Sequence, residues 1–210
     1  TVQPERYNER PQLLGPYYAY WSGLPMNGRF ETYIRPNRRF AAAQTHDGLT
    51  MLVGGWPHSQ FSANRHDIEG HFHKTLELAP EFAERVRRAR RETRFAGAPT
   101  PNFFRKPYGP GWALVGDAGY NKDFITAMGI MDAFRDAELC ANALHQYFTG
   151  ARSYDDAMRE YQKTRDDQVL PMYEFTTELA TLQPPSAPVQ QVLAAMRGQG
   201  GDCRQFVDNA

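Results

Sequence analysis

A strand, a sharp turn and a helix follow one another between residues 112 and 138, and this stretch constrains the fold more than any other part of the chain. A short apolar run, Trp112 to Val115, ends in Gly116-Asp117-Ala118, and a helix is predicted to start near Ala127. The pattern predicts a buried strand with a carboxylate at its carboxyl end and a helix amino terminus close by. The small residues on either side of Asp117 let a ligand approach the backbone closely.

The chemistry of this arrangement favours a polyhydroxylated, partly anionic cofactor. A buried carboxylate needs a partner, and a sugar-alcohol hydroxyl would suit Asp117. The first N–H groups of a helix lack internal acceptors and favour negative charge, which places an anion-binding edge at Ala127-Met128-Gly129-Ile130. In a flavin, negative charge develops at the N1–C2=O edge on reduction. The structural alternative is that Gly-Asp-Ala is a common tripeptide in which Asp117 caps a local turn.

Residues 15 to 56 have the pattern of an antiparallel β meander. Tyr17 to Trp21 is aromatic-rich, and Phe30 to Arg35 alternates as a half-exposed strand does. Arg39 to Thr45 and Leu49 to Val53 are the next two predicted strands, and Asp47-Gly48 between them is a strong hairpin turn.

The rest of the chain is predicted to be mainly helical. Asp67 caps one helix and Pro80 starts another, whereas residues 98 to 111, rich in proline and glycine, are predicted to be loop. The helix after residue 127 has an apolar face and ends at Gly150. A capping box at Ser153 starts the next helix, which is predicted to run to about Leu182 with a kink at Pro171. The predicted apolar face comprises Met131, Phe134, Ala137, Ala141, Leu144 and Phe148.

These patterns define three predicted regions and an α+β fold class. Residues 1–98 form a β-rich region with two helices, residues 99–150 form a strand, loop and helix, and residues 151–210 form a carboxyl-terminal helical region. A short helix near Val189 to Met196 is also predicted.

The extended motif resembles the flavin site of the p-hydroxybenzoate-hydroxylase-like superfamily of FAD-dependent monooxygenases and oxidoreductases. Gly-Asp-Ala-Gly-Tyr, Thr-Ala-x-Gly-Ile and Asp-Ala-Phe-Arg-Asp-Ala-Glu occur in one register between residues 116 and 138. The resemblance implies an antiparallel sheet that floors a substrate cavity, followed by a strand and long helices: a partial FAD-dependent oxidoreductase fold. Two positions depart from the pattern: Tyr120 replaces a frequent histidine, and Phe124 replaces a frequent proline.

The resemblance also implies roles for individual residues. Asp117 would contact the ribityl hydroxyls of FAD, while Asp123-Phe124 and the following helix start would lie against the isoalloxazine ring. Tyr20 and Trp21 would line the substrate cavity or, equally, belong to the core. The implied cofactor residues are Gly116, Asp117, Ala118, Asp123, Phe124, Ala127, Met128, Gly129 and Ile130. No catalytic residue is identified, since in such enzymes the flavin carries the chemistry.

A dinucleotide-binding βαβ unit with Gly-x-Gly-x-x-Gly is not found in the sequence. Gly109-Pro-Gly111 precedes a strand, and Gly198-Gln-Gly200-Gly201 follows none. We therefore expect the chain to be the carboxyl-terminal part of a longer flavoenzyme, with a missing amino-terminal FAD-binding segment and with NAD(P)H as electron donor. The isolated chain would be inactive. A halogenase, a reductase and a non-catalytic α+β ligand-binding or interaction domain without FAD are the alternatives.

Composition narrows the partners. With 24 basic and 24 acidic residues the net charge is zero, which argues against nucleic-acid binding. Two widely spaced cysteines, Cys140 and Cys203, predict a cytoplasmic protein, and no apolar run is long enough for a membrane span. The six histidines do not have the spacing of metal ligands. A small-molecule substrate is the expected partner, and a homodimer is compatible with the sequence.

Overall fold

A computed structural model describes residues 2–183 of the chain. Its strands are β1 Arg6–Arg10, β2 Leu14–Ser22, β3 Phe30–Arg35, β4 Arg38–Gln44, β5 Thr50–Pro57, β6 Arg90–Arg91, β7 Asn102–Arg105, β8 Tyr108–Gly109, β9 Trp112–Ala113 and β10 Tyr120–Asn121. Its helices are α1 Phe61–Asn64, α2 Ile68–Leu76, α3 Pro80–Arg88, α4 Gly129–Phe148 and α5 Tyr154–Ala180. The α+β class predicted from the sequence is confirmed.

The largest sheet has the strand order β3-β4-β5-β2-β6, with antiparallel pairs throughout. Strands β3 to β5 form the predicted meander, and Asp47 and Gly48 both adopt positive φ at the predicted hairpin turn. The prediction is wrong for β2, which pairs with β5 rather than with β3. The connection between β2 and β3 is not a tight turn, since it buries Leu24 and Met26 against the end of the sheet.

One face of this sheet packs against helices α2 and α3. Trp21 stacks on Phe72 with ring centroids 5.7 Å apart, and Phe40 lies against Phe82. Asp67 caps α2 by accepting a hydrogen bond from the backbone of Gly70, and Pro80 is the first residue of α3, both as predicted. The side chains of this core come from alternate strand positions, so the residues between them face the other side of the sheet.

A second, smaller sheet has the order β1-β7-β10. The prediction of a loop over residues 98 to 111 is wrong, because β7 lies there and buries Phe103 and Phe104. Its partner β1, Arg-Tyr-Asn-Glu-Arg, carries almost no apolar alternation and gave no strand signal. Both strands therefore form because their backbones pair with each other, although the paired residues are more than 90 positions apart in the chain.

The strand before Gly116 is shorter and more exposed than predicted. Only Trp112–Ala113 is extended as a strand, in a hairpin with β8, and Val115 is 37% exposed. The predicted buried strand is therefore wrong for this chain. Among the described residues, β8 is the only strand that pairs with β9, so that no second strand covers Val115.

Helix α4 shows the largest difference between prediction and structure. Most of the predicted apolar face points away from the described chain: Met131 is 62% exposed, Phe134 72% and Phe148 78%, whereas Leu144 packs against a small core beside α5. The buried face consists of Asp132, Asp136, Cys140 and Ala143. Lys122 pairs with Asp132, and Arg135 pairs with both carboxylates. This attraction explains why the helix buries its polar face.

Helix α5 covers both the second sheet and the inner face of α4. It is one helix from Tyr154 to Ala180 and continues through Pro171. The long predicted helix is therefore present, and it ends two residues before the predicted end at Leu182. Gly150 ends α4 with a φ of 74°, as predicted. The helix predicted near Val189 to Met196 and Cys203 lie outside the described residues.

Candidate functional site

The Gly116-Asp117-Ala118 segment forms a tight turn that is tied to α4. Gly116 has a φ of 54°, a conformation that favours glycine. Its N–H donates a hydrogen bond of 3.2 Å to the carboxylate of Asp136. A Cβ at position 116 would lie 2.9 Å from the Cβ of Ala133, closer than side chains tolerate. Only glycine therefore fits this turn against the helix.

Asp117 is exposed at the edge of a cavity of about 290 Å³. Within residues 2–183, no group donates a hydrogen bond to its carboxylate. The expectation that this carboxylate is buried and dry is wrong, because the strand before it is short and open. Its oxygens are therefore free to accept hydrogen bonds from a ligand in the cavity, which we term the motif cavity. The motif cavity is lined by Thr100, Asp117, Tyr120, Asn121, Lys122, Asp123, Phe124, Ala127, Gly129, Ile130 and Asp132.

Six of the nine cofactor residues predicted from the sequence thus line one cavity. These are Asp117, Asp123, Phe124, Ala127, Gly129 and Ile130. Gly116, Ala118 and Met128 are adjacent in the chain but do not line it.

The loop between the motif and α4 has a defined backbone. Asp123 accepts a hydrogen bond of 2.9 Å from the N–H of Ile125 and starts a single turn over Phe124–Thr126. Ala127 then adopts the left-handed conformation with a φ of 57°. Helix α4 begins at Gly129, two residues later than predicted, and no side chain caps its first turn. Its first N–H groups therefore remain available to an acceptor beside the cavity.

The floor of the motif cavity is a network of buried charges. Lys122 forms an ion pair with Asp132 and a hydrogen bond with Tyr120. Arg135 reaches Asp132 at 3.0 Å and Asp136 at 3.2 Å. Burial raises the pKa of the Asp136 carboxyl, while Arg135 acts in the opposite direction. This network was not predicted from the sequence, where its only signal is the i, i+3, i+4 spacing of Asp132, Arg135 and Asp136.

Arg165 of α5 binds the backbone next to the Gly-Asp-Ala turn, and this role was not predicted from the sequence either. Its fully buried guanidinium donates hydrogen bonds to the carbonyls of Gly119 and Arg105 and to the hydroxyl of Tyr7. It also forms an ion pair of 2.7 Å with Asp166. The residue after the Gly-Asp-Ala turn is thereby fixed to the second sheet.

A second cavity of about 110 Å³ lies between the open face of the large sheet and the loop. We term it the sheet cavity. Phe124 and Ala127 line both this cavity and the motif cavity, so the two spaces share a wall. The sheet cavity is lined by Leu14, Phe30, Arg39, Phe40, Ala41, Met51, Val53, Gly55, Phe124, Ile125 and Ala127.

The two aromatic residues predicted for a substrate cavity lie on opposite faces of the sheet. Tyr20 is on the same face as the sheet cavity, beside Tyr18 and His46, but does not line it. Trp21 lies in the helix-covered core against Phe72. The structure does not bring Trp21 to either cavity.

Asp123 is a buried carboxylate that lines the motif cavity. It directly precedes Phe124, which lines both cavities. One carboxylate oxygen accepts the Ile125 N–H, and the other has no hydrogen-bond donor among the described residues. Burial raises the pKa of this carboxyl to about 6, against the lowering effect of the Ile125 hydrogen bond and of the charge of Arg39.

The part of the chain that the structure describes contains neither a metal-binding cluster nor a membrane-spanning helix. No group of three or more histidine, cysteine, aspartate or glutamate side chains is arranged to hold a metal ion there. No helix in residues 2–183 combines the length and the apolar character that a membrane crossing requires.

Comparison with known proteins gives matches in structure only. No protein-family model and no curated protein matches the sequence. The myxobacterial chondrochloren halogenase CndH, described as a variant of FAD-dependent halogenases, is similar with a TM-score of 0.75 and 18% identity; the match covers 92% of this chain and 50% of CndH. PqsL from Pseudomonas aeruginosa, described as a probable FAD-dependent monooxygenase, has a TM-score of 0.69 and 21% identity, over 83% of this chain and 50% of PqsL.

A third similar structure is a flavoprotein/dehydrogenase from Cytophaga hutchinsonii. It has a TM-score of 0.65 and 16% identity, over 80% of this chain and 43% of that protein. The chain therefore spans about half the length of the solved structures that it matches. The fold implied by the Gly-Asp-Ala motif is confirmed: the chain has the fold of one half of the FAD-dependent halogenases and monooxygenases.

Proposed function

We propose that the chain is the substrate-binding and ring-contacting part of an FAD-dependent oxidoreductase of the flavin monooxygenase type. In the intact enzyme it would act on a small organic substrate with NAD(P)H and oxygen. The observation that carries the proposal is the wall shared by the two cavities. A cofactor in the motif cavity and a substrate in the sheet cavity would be separated only by Phe124 and Ala127.

The residues around the motif cavity suit a flavin. Asp117 offers to the ribityl hydroxyls a carboxylate that accepts no hydrogen bond from residues 2–183, and glycine at position 116 lets the turn that carries Asp117 pack against α4. The uncapped first turn of α4 offers N–H groups to the electron-rich edge of the ring. Bound FAD would supply the redox chemistry, while the chain would orient the ring and keep the sheet cavity dry.

The exposed face of α4 supports a missing partner segment. Met131 and Phe134 are more than half exposed on a stripe that also contains Ile130 and Phe148. Contiguous exposed apolar surface of this kind marks an interaction site. We propose that it packs against the segment that binds the dinucleotide part of FAD, since the similar structures are about twice as long as this chain. The isolated chain would then bind FAD weakly and be inactive.

Flavin titration of the 210-residue chain tests the cofactor proposal. We expect a dissociation constant above about 100 μM, with amide chemical-shift changes confined to residues 116–130. Asp117→Asn should weaken binding at least fivefold, because it removes the charge that accepts the ribityl hydroxyls. Asp47→Asn, at an exposed hairpin turn, is the matched control. Absence of shifts in residues 116–130 would refute flavin binding at this site, and stoichiometric yellow flavin in the purified chain would refute the missing segment.

The alternative is a non-catalytic α+β binding domain that keeps the fold without FAD. The shorter, open strand before Asp117 favours it for the chain by itself. Absence of flavin binding in the titration would support this alternative. Halogenation and reduction are further reactions of proteins with this fold, and product analysis of the intact enzyme distinguishes them from hydroxylation. We also propose a cytoplasmic location, because the cysteine content is low. A homodimer is a further proposed assembly.

A further inference from the structure

We propose that a third cavity, on the side of the large sheet that α2 covers, binds a phosphoryl group, either of a phosphorylated small molecule or of free phosphate. Its volume of about 450 Å³ lies within the roughly 300–1,000 Å³ that is usual for small-molecule sites. We term it the basic cavity. It shares no lining residue with the motif cavity or the sheet cavity, so this site is separate from the proposed flavin and substrate sites. The basic cavity is lined by Pro36, Asn37, Arg38, Trp56, Gln60, Asn64, His71, Lys74, Thr75 and Leu78.

The turn between β3 and β4 forms one wall of the basic cavity. Arg35 pairs with Arg38 across this turn, and Asn37 between them has a φ of 54°. The Nε of Arg35 donates a hydrogen bond of 2.8 Å to the carbonyl of Leu78, which follows α2. The turn is therefore held against the end of α2, and residues from both segments face one space.

Two of the buried lining residues are already bonded to each other. The indole Nε1 of Trp56, on β5, donates a hydrogen bond of 3.1 Å to the hydroxyl of Thr75, on α2. That hydroxyl donates in turn to the carbonyl of His71 at 2.9 Å. These polar groups are satisfied within the protein, so the groups that would bind a ligand are other members of the lining.

Asn64 is the buried lining residue whose polar side chain lacks a partner. It is the last residue of α1 and only 3% exposed. Its Nδ2 has no hydrogen-bond acceptor among the described residues. Because a buried amide donor without an acceptor is costly, a ligand that brings an acceptor oxygen to this wall would remove that cost.

Two permanent cations line the same cavity, and no aspartate or glutamate lines it. The one recorded side-chain hydrogen bond of Arg38 runs from Nη1 to the carbonyl of Asn37, at 2.6 Å. Burial lowers the pKa of the Arg38 guanidinium, but arginine remains charged at neutral pH. The second cation is Lys74, on α2. The lining therefore has a positive charge that the cavity itself does not neutralise.

The carboxylates nearest to Lys74 in the chain are engaged elsewhere. Glu77 pairs with Arg87 at 2.6 Å, and Glu69 pairs with Arg91 at 3.0 Å. Within residues 2–183, neither Lys74 nor Arg38 has an ion-pair partner. Both cations are therefore available to an anion in the basic cavity.

The arrangement of the donors favours a phosphoryl group over a carboxylate. A carboxylate is planar and accepts two parallel hydrogen bonds from a single guanidinium. A phosphoryl group has three acceptor oxygens and nearly two negative charges at neutral pH. The guanidinium, the ammonium and the amide come from three segments, namely the β3–β4 turn, α2 and α1, and can each bind a different oxygen. The space that remains, beside Pro36 and Leu78, would hold the body of a phosphorylated molecule.

Glycerol 3-phosphate, inorganic phosphate and glycerol are matched probes, because glycerol has the same carbon body without the phosphoryl group. Chemical-shift NMR on the 210-residue chain, at an ionic strength held constant with sodium chloride, would measure all three. We expect glycerol 3-phosphate to bind with a dissociation constant on the order of 1 mM and glycerol not to bind. The shifts should fall on the indole N–H of Trp56, the side-chain amide of Asn64 and the backbone of residues 36–38.

The ratio of the two phosphate affinities distinguishes the sources of the phosphoryl group. Tighter binding of glycerol 3-phosphate than of inorganic phosphate would identify a phosphorylated molecule as the ligand. Equal or tighter binding of inorganic phosphate would identify free phosphate. Either ratio supports the phosphoryl site, provided that the shifts fall on the residues of the basic cavity.

Substitutions test the three donors separately. Arg38→Gln and Lys74→Gln should each weaken glycerol 3-phosphate binding at least about fivefold, because each removes a charged hydrogen-bond donor. Asn64→Leu, of similar volume, should weaken it at least about threefold. Arg94→Gln is the control, because Arg94 is exposed and lines none of the three cavities. Circular dichroism shows whether each variant is folded, and the two cation variants decide the question if Asn64→Leu is not.

Three results would overturn the proposal. They are the absence of shifts around the basic cavity at about 10-fold above the expected dissociation constant, an equal loss of binding in Arg94→Gln, and full binding in a chain that carries both Arg38→Gln and Lys74→Gln. None of these measurements uses flavin. Failure of the flavin titration therefore rejects the proposed cofactor and leaves the phosphoryl site standing, and the reverse also holds.

Discussion

At the scale of single residues, Asp123 shows how burial without full pairing changes a carboxyl group. It is almost fully buried, and only one of its oxygens has a donor among the described residues. The ionised form is therefore less stable in the folded chain than in water, which is why the pKa rises to about 6. The folded state binds this proton more tightly than the unfolded state does.

Because of this raised pKa, the stability of the folded chain depends on pH. Stability from this group is fully present below the ordinary aspartate pKa, near 4, and is lost as the pH rises through about 6. We expect Asp123→Asn to match the wild type below pH 4 and to be more stable by roughly 2–3 kcal/mol above pH 7. Urea unfolding at several pH values measures the difference. A pH-independent effect of Asp123→Asn would contradict the prediction.

Asp136 is the buried carboxylate that connects the Gly-Asp-Ala turn to α4. It accepts the Gly116 N–H and pairs with Arg135. Asp136→Ala leaves the Gly116 N–H without its acceptor and removes one of the two carboxylates that pair with Arg135, so we expect it to lower the free energy of unfolding by about 2–4 kcal/mol. Glu138→Ala, exposed on the same helix, should change it by less than about 0.5 kcal/mol. Denaturant unfolding of both variants measures this, and equal effects would show that the turn does not depend on Asp136.

The residues of the candidate site were predictable to different degrees. The cavity-lining position of Asp117 and of the loop follows from local motif spacing, since neighbours in the chain remain neighbours in space. Lys122, Arg165 and Asp136 were not predicted. Their burial depends on side chains that meet only when α4, α5 and the second sheet pack together.

At the scale of elements, α4 shows which structural features periodicity predicts and which it does not. A spacing of three and four residues predicts that Met131, Phe134 and Phe148 share a face, and they do. It does not say which surface that face meets. The opposite face carries Asp132 and Asp136, which Arg135 and the Gly116 N–H bind, and the described chain buries that one.

The outward face of α4 leads to a test by substitution. Met131→Gln with Phe134→Lys should leave the free energy of unfolding within about 0.5 kcal/mol of the wild type, because neither side chain is packed in the described structure. Binding of a hydrophobic dye and association in gel filtration should decrease. Met158→Gln, in the fully buried core of α5, should cost more than about 2 kcal/mol. A large loss of stability in the α4 variant would instead indicate that another surface already covers the face.

At the scale of the whole molecule, the described chain has one large core and several small ones. The large sheet with α2 and α3 shares a single aromatic cluster, which includes Trp21, Phe40, Trp56, Phe72 and Phe82. The region around the motif is stabilised by three smaller clusters and by buried ion pairs. The fold class and the order of most elements were predictable, because they follow from local periodicity. The position of β2, strand β1 and the open strand before the motif were not, because they depend on distant pairing.

This division predicts unequal local stability. Amide hydrogens in β4 and β5 should exchange with solvent at least about tenfold more slowly than those in residues 112–128, which are short strands and turns. Hydrogen exchange followed by mass spectrometry measures this in the 210-residue chain. Addition of FAD should slow exchange in residues 116–130 only. Uniform exchange rates along the chain would show that the two regions unfold together.

Ala127 combines two properties of the loop: it holds a left-handed backbone conformation without being glycine, and it belongs to the wall between the two cavities. The side chain that it contributes to this wall is a single methyl group, and Phe124 is the other residue that lines both cavities. Any larger side chain would extend into one compartment or the other. In the proposed enzyme, the depth to which a substrate enters the sheet cavity would then decide which of its carbon atoms comes opposite this methyl group. A longer side chain at position 127 would thicken the wall between the two cavities.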